Sequence, residues 1–368
     1  MNLRTTLHLL LGLAIVLCFQ ACSDTPIKTE YTHAIPANAE EVAVVHLKTL
    51  VEKAGLADDS HRQEKQKLLA LLSNGGNADF VQQMESLINN PDETGIDWDM
   101  PVYYFNAPTL RTPAFVAKVN DLPKLRNLFK ALAEENICTD ISEGDGYGTV
   151  EIKESGLLLA FNDGTLLTVC TDSPAQVRKL HPAIKNLMQQ GADQCIRNHP
   201  HYDAMMQQNG DIRLLATPDV IPFNLRGVLN WPQGTPILGY LLFENGRIYA
   251  SVQRADFSGE TGESAQPFHP QNSKELQQAM RRMMNGHSFN IELTTEELLT
   301  LTNLRVIMEF TPDEPEVNAM YLLVQKIETL NARGDNNRTR FTVILHEKNA
   351  NSLKQLMEFA KQFAGFQL

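Results

Sequence analysis

Leu157–Val169, LLLAFNDGTLLTV, is the stretch that decides how this chain folds. Two apolar runs of strand length flank Asn162-Asp163-Gly164. An Asp-Gly step supplies the positive φ that a tight hairpin turn asks for, so the runs pair antiparallel. Ile237–Val252, ILGYLLFENGRIYASV, repeats the arrangement around Asn245-Gly246. Sheets joined by hairpins are largely antiparallel.

Units of strand, polar cap and helix surround these hairpins. Glu41–Leu47 (EVAVVHL) reads as a buried strand, and Lys48–Ala54 as a helix closed by Gly55. Ala114–Val119 precedes Asp121 and the helical stripe Leu122, Leu125, Phe129, Leu132. Leu166–Val169 precedes Ser173 as N-cap and Pro174 at the first helical position, followed by Val177, Leu180, Ile184 and Leu187. Phe341–Leu345 precedes Asn349–Ser352 and the stripe Leu353, Leu356, Ala360, Phe363. Hairpins mixed with such units predict an α+β fold of two related halves, each a mainly antiparallel sheet with helices on one face. The halves are placed at residues 33–190 and 191–368. Gln189-Gln190-Gly191 ends a helix, and a strand at Ile212–Ala216 opens a similar series. Leu125 and Leu128 are matched to Leu353 and Leu356 as equivalent helices. Asp256–Asn272 is a loop by composition.

Residues 1–21 are basic and then apolar and end on Ala21, directly before Cys22. The apolar run Leu7–Phe19 suits a secretory signal and falls short of the roughly 20 residues of a spanning helix. The expected mature chain begins at an acylated Cys22 and continues through a polar tether, residues 22–32. That is the address of a lipoprotein on the outer membrane of a bacterial envelope. Phe19 stands where a leucine is usual, and ordinary cleavage without lipid is the competing reading; a retained helix is another, and Cys18 lies inside the apolar run.

The formal charge is −12 and becomes −13 once residues 1–21, with Arg4, are removed. An acidic chain with scattered basic residues repels polyphosphate, which excludes nucleic acid as a partner. Cys138, Cys170 and Cys195 allow at most one disulfide, and Cys170, after an apolar strand, reads as a buried free thiol.

No constellation for catalysis, metal or cofactor emerges. In His199-Pro200-His201-Tyr202-Asp203 a helix start is preferred to a metal site, because on a helix side chains two apart diverge. Glu143–Gly148 (EGDGYG) lacks the Lys and Ser/Thr of a phosphate loop and reads as a turn. Arg333-Gly334-Asp335 lies in a polar loop, and the methionines at 280, 283 and 284 have core-like helical spacing. Carboxylate pairs such as Asp58-Asp59, Glu134-Glu135 and Glu296-Glu297 are solvated. Trp98 and Trp231, both in loops, are the candidate ligand-facing aromatics, with core plugging as the alternative.

Ile35–Leu56, IPANAEEVAVVHLKTLVEKAGL, resembles the opening of an uncharacterised family of Bacteroidetes lipoproteins built on a domain of unknown function. Thr94-Gly95-Ile96-Asp97, Pro101–Phe105 (PVYYF) and Asn351-Ser352-Leu353 extend the resemblance over most of the mature chain. It implies an envelope lipoprotein and brings no catalytic residues. The expected role is non-catalytic binding of a protein or glycan, with the membrane reached through the lipid; an envelope hydrolase, glycan-directed or metal-assisted, is the alternative.

Overall fold

Every residue of Leu157–Phe161 is buried in the computed structural model, which describes residues 29–56, 78–153, 155–218, 231–232, 234–257, 266–284, 287–310, 314–335 and 337–364. A strand with one covered face alternates in and out, so burial at every position requires cover on both faces. That strand belongs to the first of two units, Met1–Asp203 and Ala204–Leu368.

The first unit contains β1 (Glu41–Val45), α1 (Leu47–Lys53), α2 (Ala78–Asn89), β2 (Val102–Asn106), β3 (Ala114–Lys118) and α3 (Leu122–Glu134), then β4 (Ser142–Gly144), β5 (Tyr147–Ile152), β6 (Leu157–Phe161), β7 (Thr165–Cys170) and α4 (Pro174–Gln189), and its last residues, Tyr202 and Asp203, begin α5 (Tyr202–Met206). Its strands lie in the order β1-β2-β3-β7-β6-β5-β4, and the pairs are antiparallel. On one face Leu157, Leu159, Phe161 and Leu166 pack with Leu47 of α1, Ile88 of α2, and Leu125 and Phe129 of α3. Leu158, Ala160, Leu167 and Val169 point the other way and are equally buried, under α4 and a 3-10 turn at Thr29–Ala34. Helices on one face only is therefore corrected for this unit.

Two boundaries move for the same reason, that backbone groups far apart in sequence find each other. Tyr31 and Thr32, placed in the tether by composition, are buried, and the Tyr31 hydroxyl donates to the Pro101 carbonyl at 2.9 Å. Residues 191–203, placed in the second half, belong to the first unit. There Ala37 N–H donates to Gln194 O at 2.8 Å and Ile196 N–H to Ile35 O at 2.8 Å.

Local signals hold closely. Asp121 caps α3 by accepting from Lys124 N–H at 3.0 Å, Pro174 opens α4 with Val177, Leu180, Ile184 and Leu187 buried, and Gly55 follows α1 at φ +69°. The hairpins form as read, with one mechanism corrected. In the β6–β7 turn none of Asn162, Asp163 or Gly164 has positive φ; the Asn162 side chain closes it by accepting from Gly164 N–H at 3.0 Å and Thr165 N–H at 2.9 Å. Positive φ is used at Asp145-Gly146, inside the EGDGYG stretch and between β4 and β5, and at Gly246.

The second unit contains β8 (Ile212–Ala216), β9 (Ile237–Glu244), β10 (Arg247–Arg254), α6 (Ser273–Met284) and β11 (Phe289–Thr294), then α7 (Thr295–Leu301), α8 (Leu304–Phe310), α9 (Pro315–Lys326), β12 (Ile327–Gly334), β13 (Arg338–Leu345) and α10 (Ser352–Ala364). Its strand order is β8-β9-β10-β13-β12-β11, again antiparallel. Phe289, Ile291, Leu293 and Leu298 form its core with Leu276, Leu301, Val324 and Leu330 against them. Asp335 closes the β12–β13 turn by accepting from Asn337 N–H at 2.7 Å and Arg338 N–H at 3.1 Å, which makes Arg333-Gly334-Asp335 a hairpin end.

Each unit runs through three strands, a helix and a second meander that returns its last strand beside the third, and then a closing helix. The first adds the short β4 and carries α1 and α2 between β1 and β2, and the second inserts α7–α9 between β11 and β12. In this order α3 occupies the place of α6, and α4 that of α10. The match of Leu125 and Leu128 to Leu353 and Leu356 therefore pairs helices from different places. The inward face of α10 also differs from the expected stripe. Ser352 and Gln355 are buried because they bond the backbone, Ser352 Oγ donating to Arg247 O at 2.8 Å and Gln355 Nε2 to Glu347 O at 2.9 Å. Ala360 is exposed, and the side chain of Phe363 lies outside the described residues.

Candidate functional site

The histidine stretch forms a turn ahead of α5. His199 is extended (φ −68°, ψ 131°) and follows a 3-10 turn at Ile196–Asn198, so the helix starts at Tyr202, later than Asn198. The side chains of His199 and His201 do not diverge: their rings lie 5.7 Å apart, because His199 Nδ1 accepts the His201 backbone N–H at 3.2 Å. Burial, and then the neighbouring His201, hold the His199 imidazole below its ordinary pKa. Next to it the Tyr202 and Tyr103 hydroxyls meet at 3.2 Å, and Tyr103 packs edge-on against Tyr31 with centroids 5.7 Å apart. These contacts tie Tyr31 and Tyr202 to Tyr103 of β2.

A second histidine in the other unit shows what a structural pair looks like. His269 Nε2 lies 3.8 Å from Glu292 Oε1 and Nδ1 lies 3.7 Å from Glu297 Oε1. The carboxylates approach opposite ring nitrogens, while one ion uses only one of them. Among the described residues no group of three His, Cys, Asp or Glu side chains is placed to hold a metal ion.

Trp98 does not face solvent. It is 4% exposed, and its indole N–H is shared between Pro91 O at 3.2 Å and Thr94 Oγ1 at 3.1 Å. A buried indole needs such an acceptor, and the 3-10 turn at Pro91–Thr94 presents two. Gly95 follows at φ +82°, and its carbonyl accepts from Asn120 and Asp121 N–H at 3.0 and 3.1 Å. Around this loop Lys118 pairs with Asp97 at 2.6 Å and Lys48 with Asp99 at 2.6 Å. Burial, then the Asp99 carboxylate, pushes the Asp92 carboxyl above its usual range. The ligand-facing reading is therefore corrected for Trp98, which plugs the core. Trp231 is half-buried and belongs to the second unit.

Cys138, Cys170 and Cys195 are free thiols. Cys138 is buried, with its Sγ donating to Phe129 O at 3.5 Å; Cys170, read from its sequence context as buried, is half-buried and packs against the same core. Burial pushes both thiols up to about 11. The unfolded chain starts to lose these protons near pH 9, while the folded chain keeps them until about 11. Stability contributed below that window is lost as pH rises through it. We expect the thermal midpoint to fall between pH 9 and 11, less steeply in the Cys138→Ala/Cys170→Ala variant. Alkylation of both thiols at pH 8 should be at least about tenfold slower in the native than in the unfolded chain. Equal rates would contradict the burial argument.

The feature that sequence reading missed is on the helices inserted between β11 and β12. Val306 is 50% exposed, Ile307 40% and Phe310 81% on α8, and Met320 is 56% exposed on α9. The signal was present in Leu304–Phe310, LRVIMEF. Apolar residues on every side of a two-turn helix cannot all face one core. Leu304 is buried and Met308 half-buried, four residues apart on the inner face, so Val306 and Phe310, also four apart, are left outward. Apolar side chains gathered in this way mark a contact surface. No helix among the described residues is long and apolar enough to cross a membrane.

Residues 31–229 match the family DUF4836, described as a domain of unknown function. The match includes Ile35–Leu56 and Thr94–Phe105, while Asn351-Ser352-Leu353 lies beyond it. No curated protein matches the sequence. Solved structures that match include crystal form I of TP0453, at 9% identity over 94% of this chain and 99% of that one with a TM-score of 0.36. Crystal form III of TP0453 aligns at 10% identity over 93% and 100%, with a TM-score of 0.37. Likeness of that degree carries nothing about function.

Proposed function

The chain belongs to the DUF4836 family, a domain of unknown function, and on that premise we propose that it is a bacterial envelope lipoprotein whose folded part is a non-catalytic binding or interaction protein. The observation that carries this reading is the short step from leader to fold. A basic and then apolar segment ends on Ala21-Cys22, which itself lies outside the described residues. By Tyr31 the chain is already buried, against Tyr103 and the Pro101 carbonyl. From Cys22 to Thr29 the chain reaches at most about 25 Å, the length of a spacer rather than of a further domain. Acyl groups on Cys22 would hold the protein on the outer membrane, since two or more chains are needed for stable attachment and each buried methylene adds about 0.8 kcal/mol.

The partner is a protein or glycan met at that membrane, and the acidic charge of −12 argues against nucleic acid. The outward apolar residues of α8 and α9 support an interaction role, because a helix face that the core does not use is available for contact.

Metabolic labelling with a fatty-acid analogue tests the anchor. The wild-type chain is expected to carry label and sediment with membranes, whereas Cys22→Ser appears unlabelled, either in the soluble fraction or as unprocessed precursor. A wild-type chain without label would remove the lipid from this reading.

A further inference from the structure

We infer that the face of the second unit's sheet carrying Arg213, Arg333, Arg338 and Arg340 binds an acidic oligosaccharide through its carboxylate or sulfate groups. The inference rests on the binding reading above and names the class of ligand that one surface takes.

In the sequence these arginines are scattered, and strand pairing gathers them. One row crosses the sheet of this unit from β8 to β11. Arg213 stands opposite Tyr240, Tyr240 opposite Ser251, Ser251 opposite Arg340, Arg340 opposite Arg333 and Arg333 opposite Asn290. Paired residues share a face, and so do residues two apart on a strand, so Arg338 and its partner Gln253 form the next row of the same face. The other face takes the apolar core, with Ile291 and Leu293 of β11 and Leu330 of β12.

These guanidiniums lack counter-charges. Arg126, Arg254 and Arg305 each meet a carboxylate, whereas among the described residues none pairs with Arg213, Arg333, Arg338 or Arg340. The nearest candidates are engaged elsewhere: Asp335 accepts from the Asn337 and Arg338 backbone, Asp211 accepts from Phe243 N–H at 2.8 Å, and Glu292 stands beside His269. Among the described residues the Nε atoms of Arg213 and Arg338 are buried and meet no acceptor, which costs free energy until one arrives. Burial, and then the neighbouring Arg340, hold the Arg338 guanidinium below its ordinary pKa, with Tyr240 and Asp335 pulling the other way. An anion on this face relieves both effects.

Spacing selects the ligand. Arg333 and Arg340 stand about 5 Å apart on neighbouring strands, Arg338 and Arg340 about 7 Å apart along one strand, and three strand spacings, about 14 Å, separate Arg340 from Arg213. A single inorganic oxyanion fills one such gap and leaves the others. Between the charges, buried Ser251 and Gln253 form a polar floor beside the half-buried Tyr240, so hydrogen-bonding groups and an aromatic body alternate with guanidiniums. Acidic groups held apart by neutral, hydroxylated rings match that alternation, and the guanidinium fork takes carboxylate or sulfate through two parallel bonds. A nucleic acid does not match: a duplex carries one charge per about 1.7 Å, and a chain of net charge −12 repels so dense a polyanion.

The experiment uses the chain from residue 22 carrying Cys22→Ser, with tetragalacturonate and a chondroitin sulfate tetrasaccharide as probes and neutral maltotetraose beside them. Calorimetry at low salt is expected to show binding of at least one acidic probe, weakening as salt rises, and none of maltotetraose. Arg338→Gln/Arg340→Gln should lose at least about tenfold in affinity and Arg333→Gln at least about twofold, with Arg305→Gln on α8 unchanged. Arg333 is exposed, so its variant, checked by circular dichroism, decides the matter if the double variant does not fold. Absence of binding by both acidic probes, equal binding of maltotetraose, or unchanged affinity in the variants would overturn the inference. So would binding of inorganic phosphate as tight as that of either sugar, or a dimer in sedimentation that Arg338→Gln/Arg340→Gln dissociates, since the occupant would then be a lone ion or a second copy. Failure of the non-catalytic reading is seen separately, as cleavage of the bound probe in chromatography, and failure of the anchor in the fatty-acid labelling of the wild-type chain.

Discussion

Replacing Gly95 with alanine should destabilise the first unit by about 3 kcal/mol, the sum of an αL penalty of roughly 1–2 kcal/mol and an overpacking cost of roughly 1–3 kcal/mol. Gly95 sits at φ +82°, and a Cβ there would stand 2.2 Å from the Asp121 carbonyl oxygen and 2.7 Å from the Leu125 nitrogen. Both are backbone atoms at the start of α3, where Asp121 caps the helix and also donates its N–H to Gly95. Relief of the clash would therefore disturb the cap and the turn that satisfies the Trp98 indole. Gly146→Ala is the comparison. At φ +86° it has the same conformational problem, but nothing lies within 4 Å of its added Cβ, so its cost should stay near 1–2 kcal/mol. Urea unfolding of both variants, followed by Trp fluorescence, checks the difference. Equal losses would mean that contact with α3 contributes nothing.

Phe161→Ala should cost about 3–5 kcal/mol, the range for removing a fully buried aromatic ring. That is a large part of the ~5–15 kcal/mol stabilising a typical domain. Phe161 is 0% exposed, its ring centroid is 4.9 Å from that of Phe129, and the Arg126 guanidinium lies 5.7 Å over it. Directly across the sheet is Gly148. A Cβ on Gly148 would come 2.8 Å from Phe161 Cζ, so the bare glycine makes room for the ring. Gly148→Ala should therefore destabilise the wild type and cost measurably less in the Phe161→Ala background. A double-mutant cycle in urea reads this coupling, and additive effects would show that ring and glycine do not share the space.

These two positions differ in how readable they were. Gly95 stood within a stretch, Thr94–Asp97, noticed only for its resemblance; nothing local says that its carbonyl meets Asn120 and Asp121. Phe161 was read correctly as a strand residue before a turn, yet its glycine partner depends on a register thirteen residues away. Trp98 reads as ligand-facing because it sits among polar loop residues, and burial is invisible when the core a side chain joins gathers residues as distant as Leu47 and Leu166. The same limit applies to His199 and His201, whose rings are brought together by one side chain-to-backbone bond that helical spacing did not predict.

From sequence alone came the strands at Glu41, Ala114 and Ile212, the two hairpins, the cap at Asp121, the helix opening at Pro174, the helix stop at Gly55 and the α+β class. All of these arise from interactions within a few residues, where propensity, capping and turn chemistry act without help from the rest of the chain. Tertiary structure alone decided that β7 lies beside β3 and β13 beside β10, that LLLAF is covered on both faces, that residues 29–32 and 191–203 join the first unit, and that Phe310 faces outward while Leu304 faces in. Those outcomes depend on which apolar faces find cover and which backbone groups find partners across long stretches of chain, and a helix or strand carries no record of what will lie against it.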